Sequence, residues 1–141
     1  MIKKTCSSPF LKIISIALFF LIGQNVTQAQ SKPWKVPESA ENVRNPLANN
    51  ARAIRKGRTL FRADCAPCHG DNGKGDGPAS ASVKPSPANL TNPWGPEDTD
   101  GALYYIISEG HKPMPKFKVA LNNTQRWELV KCIRTLPGKY K

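Results

Sequence analysis

The sequence predicts a small all-α domain with about three main helices joined by long loops. Three segments carry apolar residues at helical spacing, with capping residues at their ends. No segment shows the apolar–polar alternation of a half-buried strand. With 141 residues and no internal repeat, the chain has room for one such domain.

The first helix is predicted over Ala51 to Asp64. Asn49 or Asn50 can cap its start, because an Asn side chain accepts a hydrogen bond from the first free N–H groups. Four residues then recur every three or four positions on one face: Ile54, Gly57, Phe61 and Cys65. Basic residues cover the remaining surface of this helix.

A second helix is predicted from about Thr99 to Glu109, where Gly110 ends it. A third is predicted from about Thr124 to Leu136, preceded by a capping box of Asn122 and Gln125. The stretch between the first two helices is dense in glycine and proline. We therefore expect a long loop there without regular structure, either ordered or disordered.

The first 29 residues have the pattern of a cleaved export signal. Lys3 and Lys4 precede an apolar run over residues 13–22, and Thr27-Gln28-Ala29 forms a small-residue cleavage site. The run is shorter than the roughly 20 residues that span a bilayer. This predicts a periplasmic or otherwise exported protein, with an uncleaved membrane anchor as the alternative.

Three regions follow from this division of the chain. They are a signal peptide at 1–29, an irregular N-terminal arm at 30–50 and the folded domain at 51–141. Pro33, Pro37 and Pro46 make the arm unsuited to a long helix.

The chain carries 21 Lys and Arg against 10 Asp and Glu, a net charge of +11. Such charge suits nucleic acid, an anionic membrane or an acidic protein surface. Export and the scattered placement of the basic residues argue against nucleic acid. Lys112, Lys116 and Lys118 are candidates for a docking surface, although solvated lysines that only aid solubility are an equal alternative.

The segment Cys65-Ala66-Pro67-Cys68-His69 carries the functional prediction. Two thiols three residues apart in a helical turn lie on one side, where they can reach the vinyl groups of a haem. His69 lies one turn from Cys65 and can give a ring nitrogen to the iron. The motif therefore predicts one covalently bound haem c.

Two other interpretations of this motif remain open. A thioredoxin-like thiol pair needs a strand before the motif and a βαβ pattern around it, and neither is visible. A structural zinc site needs four ligands. The chain offers only Cys132 and His111 beyond the motif, at unrelated spacing.

The second axial ligand of a haem iron is most often Met or His. If Met1 is lost with the signal, the choice lies between Met114 and His111. We favour Met114, because a methionine between two prolines has no packing role unless its thioether is buried against a haem. His111 then becomes a histidine at the surface or at the rim of the site.

Residues 51–141 resemble the class I c-type cytochromes of bacteria. Gly57 and Phe61 match the first helix of that family, and Leu129 and Ile133 match apolar positions of its last helix. Further matching motifs are Cys-x-x-Cys-His-Gly, Gly-Asp-Gly-Pro, Pro-Ala-Asn-Leu at 87–90 and Gly-x-x-x-Met-Pro-x-Phe at 110–117.

The resemblance implies a small cytochrome c fold, with the helices and long loops wrapped around one haem. It also implies a proline carbonyl that accepts a hydrogen bond from His69, for which Pro87 is the candidate. Trp94 looks like an aromatic residue that reaches a haem propionate, although simple loop packing is the alternative.

Cys132 departs from the family, which commonly has Tyr at this position. Trp127 is a candidate to supply the missing aromatic bulk. Once Cys65 and Cys68 are bonded to haem, and Cys6 has left with the signal, Cys132 has no disulfide partner. We interpret it as a buried, inert thiol, with intermolecular pairing as the alternative.

The predicted function is an electron carrier and not an enzyme. It would pass single electrons between respiratory partners with acidic docking surfaces, such as a reductase or a terminal oxidase. One alternative is a fixed haem-c subunit of a larger respiratory or dehydrogenase complex, with the arm at 30–50 as a docking strap. Another is a ligand-binding or peroxidatic haem protein, which requires that Met114 is not coordinated.

Overall fold

The computed structural model describes residues 35–92 and 98–136, all within one compact unit. The elements run in the order α1 (Glu38–Glu41), α2 (Ala51–Leu60), a π-helical turn (Phe61–Cys65), α3 (Ala66–His69), a 3-10 turn (Ser80–Ser82), α4 (Asp100–Glu109) and α5 (Asn123–Ile133). No strand occurs in these two ranges, so the all-α prediction is confirmed. The predicted signal peptide and Trp94 lie outside them.

Across the described ranges, no helix combines the length and the apolar composition needed to cross a bilayer.

The first predicted helix is present, but its last turn is π-helical and not α-helical. Asn50 caps α2, and its side-chain oxygen accepts from the backbone N–H of Arg52 at 3.0 Å. After Leu60 the helix widens, because the N–H of Ala66 bonds the carbonyl of Phe61 five residues earlier. Pro67 has no N–H and its ring crowds the preceding turn, which explains why regular α-helical bonding fails there.

The other two predicted helices are confirmed. Thr99 caps α4, where its hydroxyl accepts from the N–H of Ala102 at 3.0 Å. Asn122 and Gln125 form the predicted capping box at the start of α5. Helix α5 ends at Ile133, before the predicted Leu136, because the chain tightens there into hydrogen bonds to carbonyls three residues back.

Helices α2 and α5 cross closely at Gly57. A Cβ atom on Gly57 would lie 1.9 Å from the carbonyl oxygen of Glu128 and 2.9 Å from Cβ of Cys132. No residue other than glycine fits this contact without moving a helix. Cys132 is fully buried at the crossing, and burial raises the pKa of its thiol.

Trp127 does not stack at that crossing but against α4. Its ring lies 4.1 Å from the ring of Tyr104, measured between centroids, with 15° between the planes. Arg126 places its guanidinium 4.8 Å from the same Tyr104 ring and donates to the hydroxyl of Ser108. The aromatic bulk of Trp127 therefore joins α5 to α4.

One core cluster fills the space between the helices and the loops around them. Its members are Phe61, Ala66, Leu90, Leu103, Ile107, Phe117, Leu121, Trp127, Leu129, Val130, Cys132, Ile133 and Leu136. Burial of such side chains contributes about 1.5–3 kcal/mol each for the larger ones.

The described part of the N-terminal arm packs against α4 and α5. The hydroxyl of Thr99 donates to the Glu41 carbonyl at 2.9 Å, and the amide of Asn45 donates to the carboxylate of Asp100 at 2.7 Å. A Cβ on Gly101 would lie 2.1 Å from the carbonyl oxygen of Ala40. The arm thus contains one short helix, α1, and it lies directly on the backbone of α4.

Arg134 joins three segments at the start of α4. Its guanidinium donates to Asp100 at 2.7 Å and also pairs with the carboxylate of Asp98. Asp100 in turn accepts from Asn45 of the arm. The end of α5, the start of α4 and the arm are therefore held by one partly buried charged network.

Candidate haem-attachment site

The two motif thiols and the imidazole leave the backbone within one short stretch of helix. Cys65 ends the π-helical turn, and Cys68 and His69 belong to α3. All three side chains are half-buried, and Cys65 packs against the core cluster. Burial, and then the negative charge of Asp64, raise the pKa of the Cys65 thiol to about 12.

The His69 ring is fixed by one hydrogen bond. Its Nδ1 lies 2.9 Å from the carbonyl oxygen of Ala88. Because a carbonyl can only accept, Nδ1 carries the hydrogen and Nε2 keeps a free lone pair. Burial lowers the pKa of His69, against the opposite effect of the Ala88 bond, and so favours the neutral ring that a metal requires.

The acceptor differs by one residue from the predicted Pro87. The carbonyl of Pro87 instead faces Gly75, where an added Cβ would lie 2.4 Å from its oxygen. The loop is held in this register by the N–H of Leu90, which bonds the Gly73 carbonyl at 2.7 Å. This register turns the carbonyl of Ala88 towards the imidazole.

The glycine-rich loop binds back onto the motif through main-chain atoms. The N–H groups of Gly75, Gly77 and Ala79 donate to the carbonyls of His69, Cys68 and Pro67, at 2.8, 3.1 and 2.8 Å respectively. We call these three bonds the backbone frame.

Gly77 lies at the tightest point of the backbone frame. A Cβ on this residue would lie 2.4 Å from both the Ala66 and the Pro67 carbonyl oxygens. The long loop is therefore ordered over its described part, and its glycines allow the close approach.

The candidate sixth ligand lies in a turn after α4, which we call the Met loop (residues 110–118). Met114 is half-buried and packs against the same core cluster as Cys65. Its N–H donates to the carbonyl of His111 at 2.8 Å, and the N–H of Phe117 returns to Ile107 at 3.2 Å. The side chain of His111 is exposed, so of the two candidates only Met114 lies against the core.

The donors present fit a haem c. Cys65 and Met114 pack against a single apolar core, and Cys68 and the neutral imidazole of His69, with its free Nε2, follow Cys65 within one helical turn. A thiol pair, an imidazole and a thioether are the donors that a covalently bound haem requires. Among the described residues, no group of three or more His, Cys, Asp or Glu could hold a metal ion by itself. The zinc interpretation therefore gains no support.

The helical fold and the Cys-x-x-Cys-His motif define a class I c-type cytochrome, which binds haem c covalently and transfers electrons. A family model described as "Cytochrome C oxidase, cbb3-type, subunit III" matches residues 52–133, more than half of the chain. The chain belongs to this family.

A solved structure supports the fold. A chain of the "Kuenenia stuttgartiensis reducing HAO-like protein complex Kustc0457/Kustc0458" superposes with a TM-score of 0.60 at 24% sequence identity. The match covers 76% of this chain and 52% of that one, so this protein corresponds to about half of its neighbour's length. No curated protein matches at a significant level.

Two features, one in the site and one in the surrounding fold, were missed by sequence reasoning. Ala88 has no side-chain donor or acceptor, so nothing in its identity marks its carbonyl as the partner of His69. The network of Arg134 with Asp98 and Asp100 joins residues distant in sequence. The only signals available were the position of Arg134 directly after α5 and the two acids, Asp98 and Asp100, at the start of α4.

Proposed function

We propose that this protein carries single electrons between redox proteins, with Cys65 and Cys68 holding the haem and His69 and Met114 as axial ligands. The observation that supports this most directly is the orientation of His69. Its Nδ1–H is committed to Ala88, which leaves Nε2 as the only ring atom for iron, beside two thiols.

Some of these residues would hold the haem, and others would shield it from water. When bound, haem c supplies an iron that changes by one electron between ferrous and ferric states. The Ala88 carbonyl keeps the imidazole of His69 in one tautomer and orientation. The core cluster excludes water, and the thioether of Met114 would favour the ferrous state of a bound haem. No substrate has to reach the metal for such transfer.

A fixed subunit of a larger complex is the second candidate. The family description names a subunit, and the solved neighbour belongs to a complex. The arm gives this candidate less support than expected, because Thr99, Asn45 and Lys131 hold residues 41–48 on their own domain. Native purification followed by size determination separates the two candidates. A monomer supports the carrier, and stable co-migration with other subunits overturns it.

We further propose export through the signal at 1–29 and function in the periplasm. N-terminal sequencing of the protein from its native membrane and periplasmic fractions tests this. A mature chain that begins at Gln30 in the periplasmic fraction supports it, and an intact N-terminus in the membrane fraction contradicts it.

An optical spectrum of the oxidised and reduced protein, followed by acid–acetone extraction, tests the site. Haem that resists extraction, together with the weak near-infrared band of a Met–iron bond, supports the whole ligand set. Covalent haem without that band removes Met114 from the proposal. Absence of haem after expression with a haem-attachment system contradicts the site.

A further inference from the structure

One side of helix α2 and of the π-helical turn that follows it carries exposed arginines that the fold does not use. Arg52, Arg55 and Arg62 are exposed, and their spacing of three and seven residues places them on the same side of the helix. The opposite side of α2 is buried through Ala53 and Gly57. We call these three residues the arginine face.

The charges of the arginine face are not neutralised within the described part of the protein. The ion pairs there involve Lys56 with Glu128, Lys118 with Glu109, and Arg134 with its two acids, and none includes the arginine face. Asp64 is the only carboxylate in the sequence between residues 51 and 69. The face therefore presents a concentrated positive potential to solvent.

The arginine face leads directly to the haem-attachment motif. It extends about 15 Å along the helix from Arg52 to Arg62, and Arg62 lies about one turn before Cys65. A protein interface covers roughly 800 Å² on each partner, a patch about 30 Å across. A partner centred on the face would therefore also cover the surface around Cys65 and Cys68.

The Met loop is a weaker candidate for the same role. Lys118, one of its three lysines, donates to both carboxylate oxygens of Glu109, at 2.8 and 2.7 Å. Its charge is thus partly neutralised locally. Arginine also pairs with carboxylates through two parallel hydrogen bonds, which lysine cannot do.

The chemistry favours a protein over a membrane as the occupant. Within the described ranges, the exposed large apolar residues are Val43 and Val119, and neither lies on α2. A helix that binds a bilayer normally inserts apolar side chains beside its basic ones. We propose that the arginine face docks a carboxylate-rich surface of a redox partner protein, an inference that rests on the proposed electron-carrier function.

The test uses the haem-loaded full-length protein and a blue-copper protein that carries an acidic surface patch. One electron passes from the ferrous cytochrome to the cupric protein, and stopped-flow absorbance gives the second-order rate constant. The test variant is R52Q/R55Q/R62Q. The matched control, K35Q/R44Q/K84Q, removes the same number of exposed positive charges elsewhere.

We expect the test variant to react roughly tenfold more slowly than the wild type at about 0.01 M ionic strength. The control should slow by less than about twofold, and the difference should vanish at about 1 M salt, where the Debye length is about 3 Å. R52K/R55K/R62K should recover most of the rate, which separates lost charge from a disturbed fold.

Equal slowing of the two glutamine variants would mean that only net charge matters, and it would overturn the proposal. An unchanged rate in the test variant would do the same. Anionic phospholipid vesicles provide the membrane test. If the test variant loses vesicle binding but keeps its rate with the copper protein, the face binds membranes instead.

A neutral quinone oxidant distinguishes failure of the docking proposal from failure of the electron-carrier function on which it rests. Two ferrous cytochromes together reduce one quinone, with two protons from solvent, to the hydroquinone. All variants should react with it at the wild-type rate, since the quinone carries no charge. If the wild type itself has no covalent haem or exchanges no electrons with the quinone, the carrier function fails, and the docking proposal fails with it.

Discussion

The two sides of the candidate site are built differently. His69 lies on a helix that the backbone frame covers with three main-chain hydrogen bonds, and its ring is fixed by a fourth contact. Met114 lies in a short turn, where its backbone N–H donates one local hydrogen bond to the carbonyl of His111. The structure thus offers one preorganised candidate ligand, His69, and one candidate ligand, Met114, on a loop that depends on packing.

This difference suggests unequal ligand strength. A ligand held by a rigid backbone loses little entropy when it binds metal, whereas a loop residue loses more. We expect the bond from His69 to persist under conditions that release Met114. Four experiments test the candidate site and this comparison, in order of decreasing effect.

The largest effect concerns covalent attachment. C65A/C68A should lose all acid-resistant haem, because both proposed thioether donors are gone. C132A is the control, since its thiol is buried at the α2–α5 crossing, and it should keep attached haem. Acid–acetone extraction with mass spectrometry measures this. Covalent haem in the double variant would contradict the proposed site.

Replacement of the loop ligand should change the iron without detaching the haem. M114A should lose the near-infrared band entirely, bind carbon monoxide when reduced and have a lower reduction potential. H111Q serves as the control and should keep the band. If H111Q loses the band and M114A keeps it, the sixth ligand is His111.

Damage to the backbone frame should lower global stability. G77A brings a Cβ to 2.4 Å from two carbonyl oxygens, so the free energy of unfolding should fall by about 1–3 kcal/mol. Denaturant unfolding of the haem-loaded protein measures it. A81S, exposed in the same loop, should change it by less than about 0.5 kcal/mol. Equal stability of the two variants would refute a rigid frame.

The smallest effect concerns the ion pair that ties the end of the Met loop to α4. Hydrogen bonds from Lys118 lower the pKa of Glu109 from its ordinary value of 4.5. A lowered folded-state pKa stabilises the fold above that ordinary value, and this stabilisation is lost as pH falls through the lowered pKa.

The stability difference between wild type and E109Q should therefore be present at neutral pH, disappear in acid and shrink in high salt. Thermal unfolding across pH measures it, with K118M as the matching variant. A difference that grows as pH falls would reverse the predicted sign.

Local sequence signals predicted the helices well because their ends are marked by side chains. Thr99 and the pair Asn122 and Gln125 bond their own helix within three residues, so their effect is readable from order alone. Residues 61–64 were predicted as the end of an α-helix, although Pro67 contained the signal for a disturbed turn.

Features set by distant contacts were harder to predict. The choice of Ala88 over Pro87 depends on where Gly73 and Gly75 hold the loop, and main-chain contacts between separated segments leave little trace in composition. The arm was predicted as irregular, and its attachment through Glu41 and Asn45 depends on Thr99 and Asp100, which are more than 50 residues away in the sequence. The proposed ligands themselves followed from a five-residue motif and a count of histidines and methionines.

The main-chain character of the backbone frame has a consequence for protein engineering. Asp71, Asn72 and Lys74 are exposed, and none of the three frame bonds uses their side chains. Substitution at these positions can therefore introduce a fluorophore or a surface-attachment handle close to the haem ligand without disturbing it. The loop therefore offers positions for attaching the protein to an electrode while the orientation of His69 is retained.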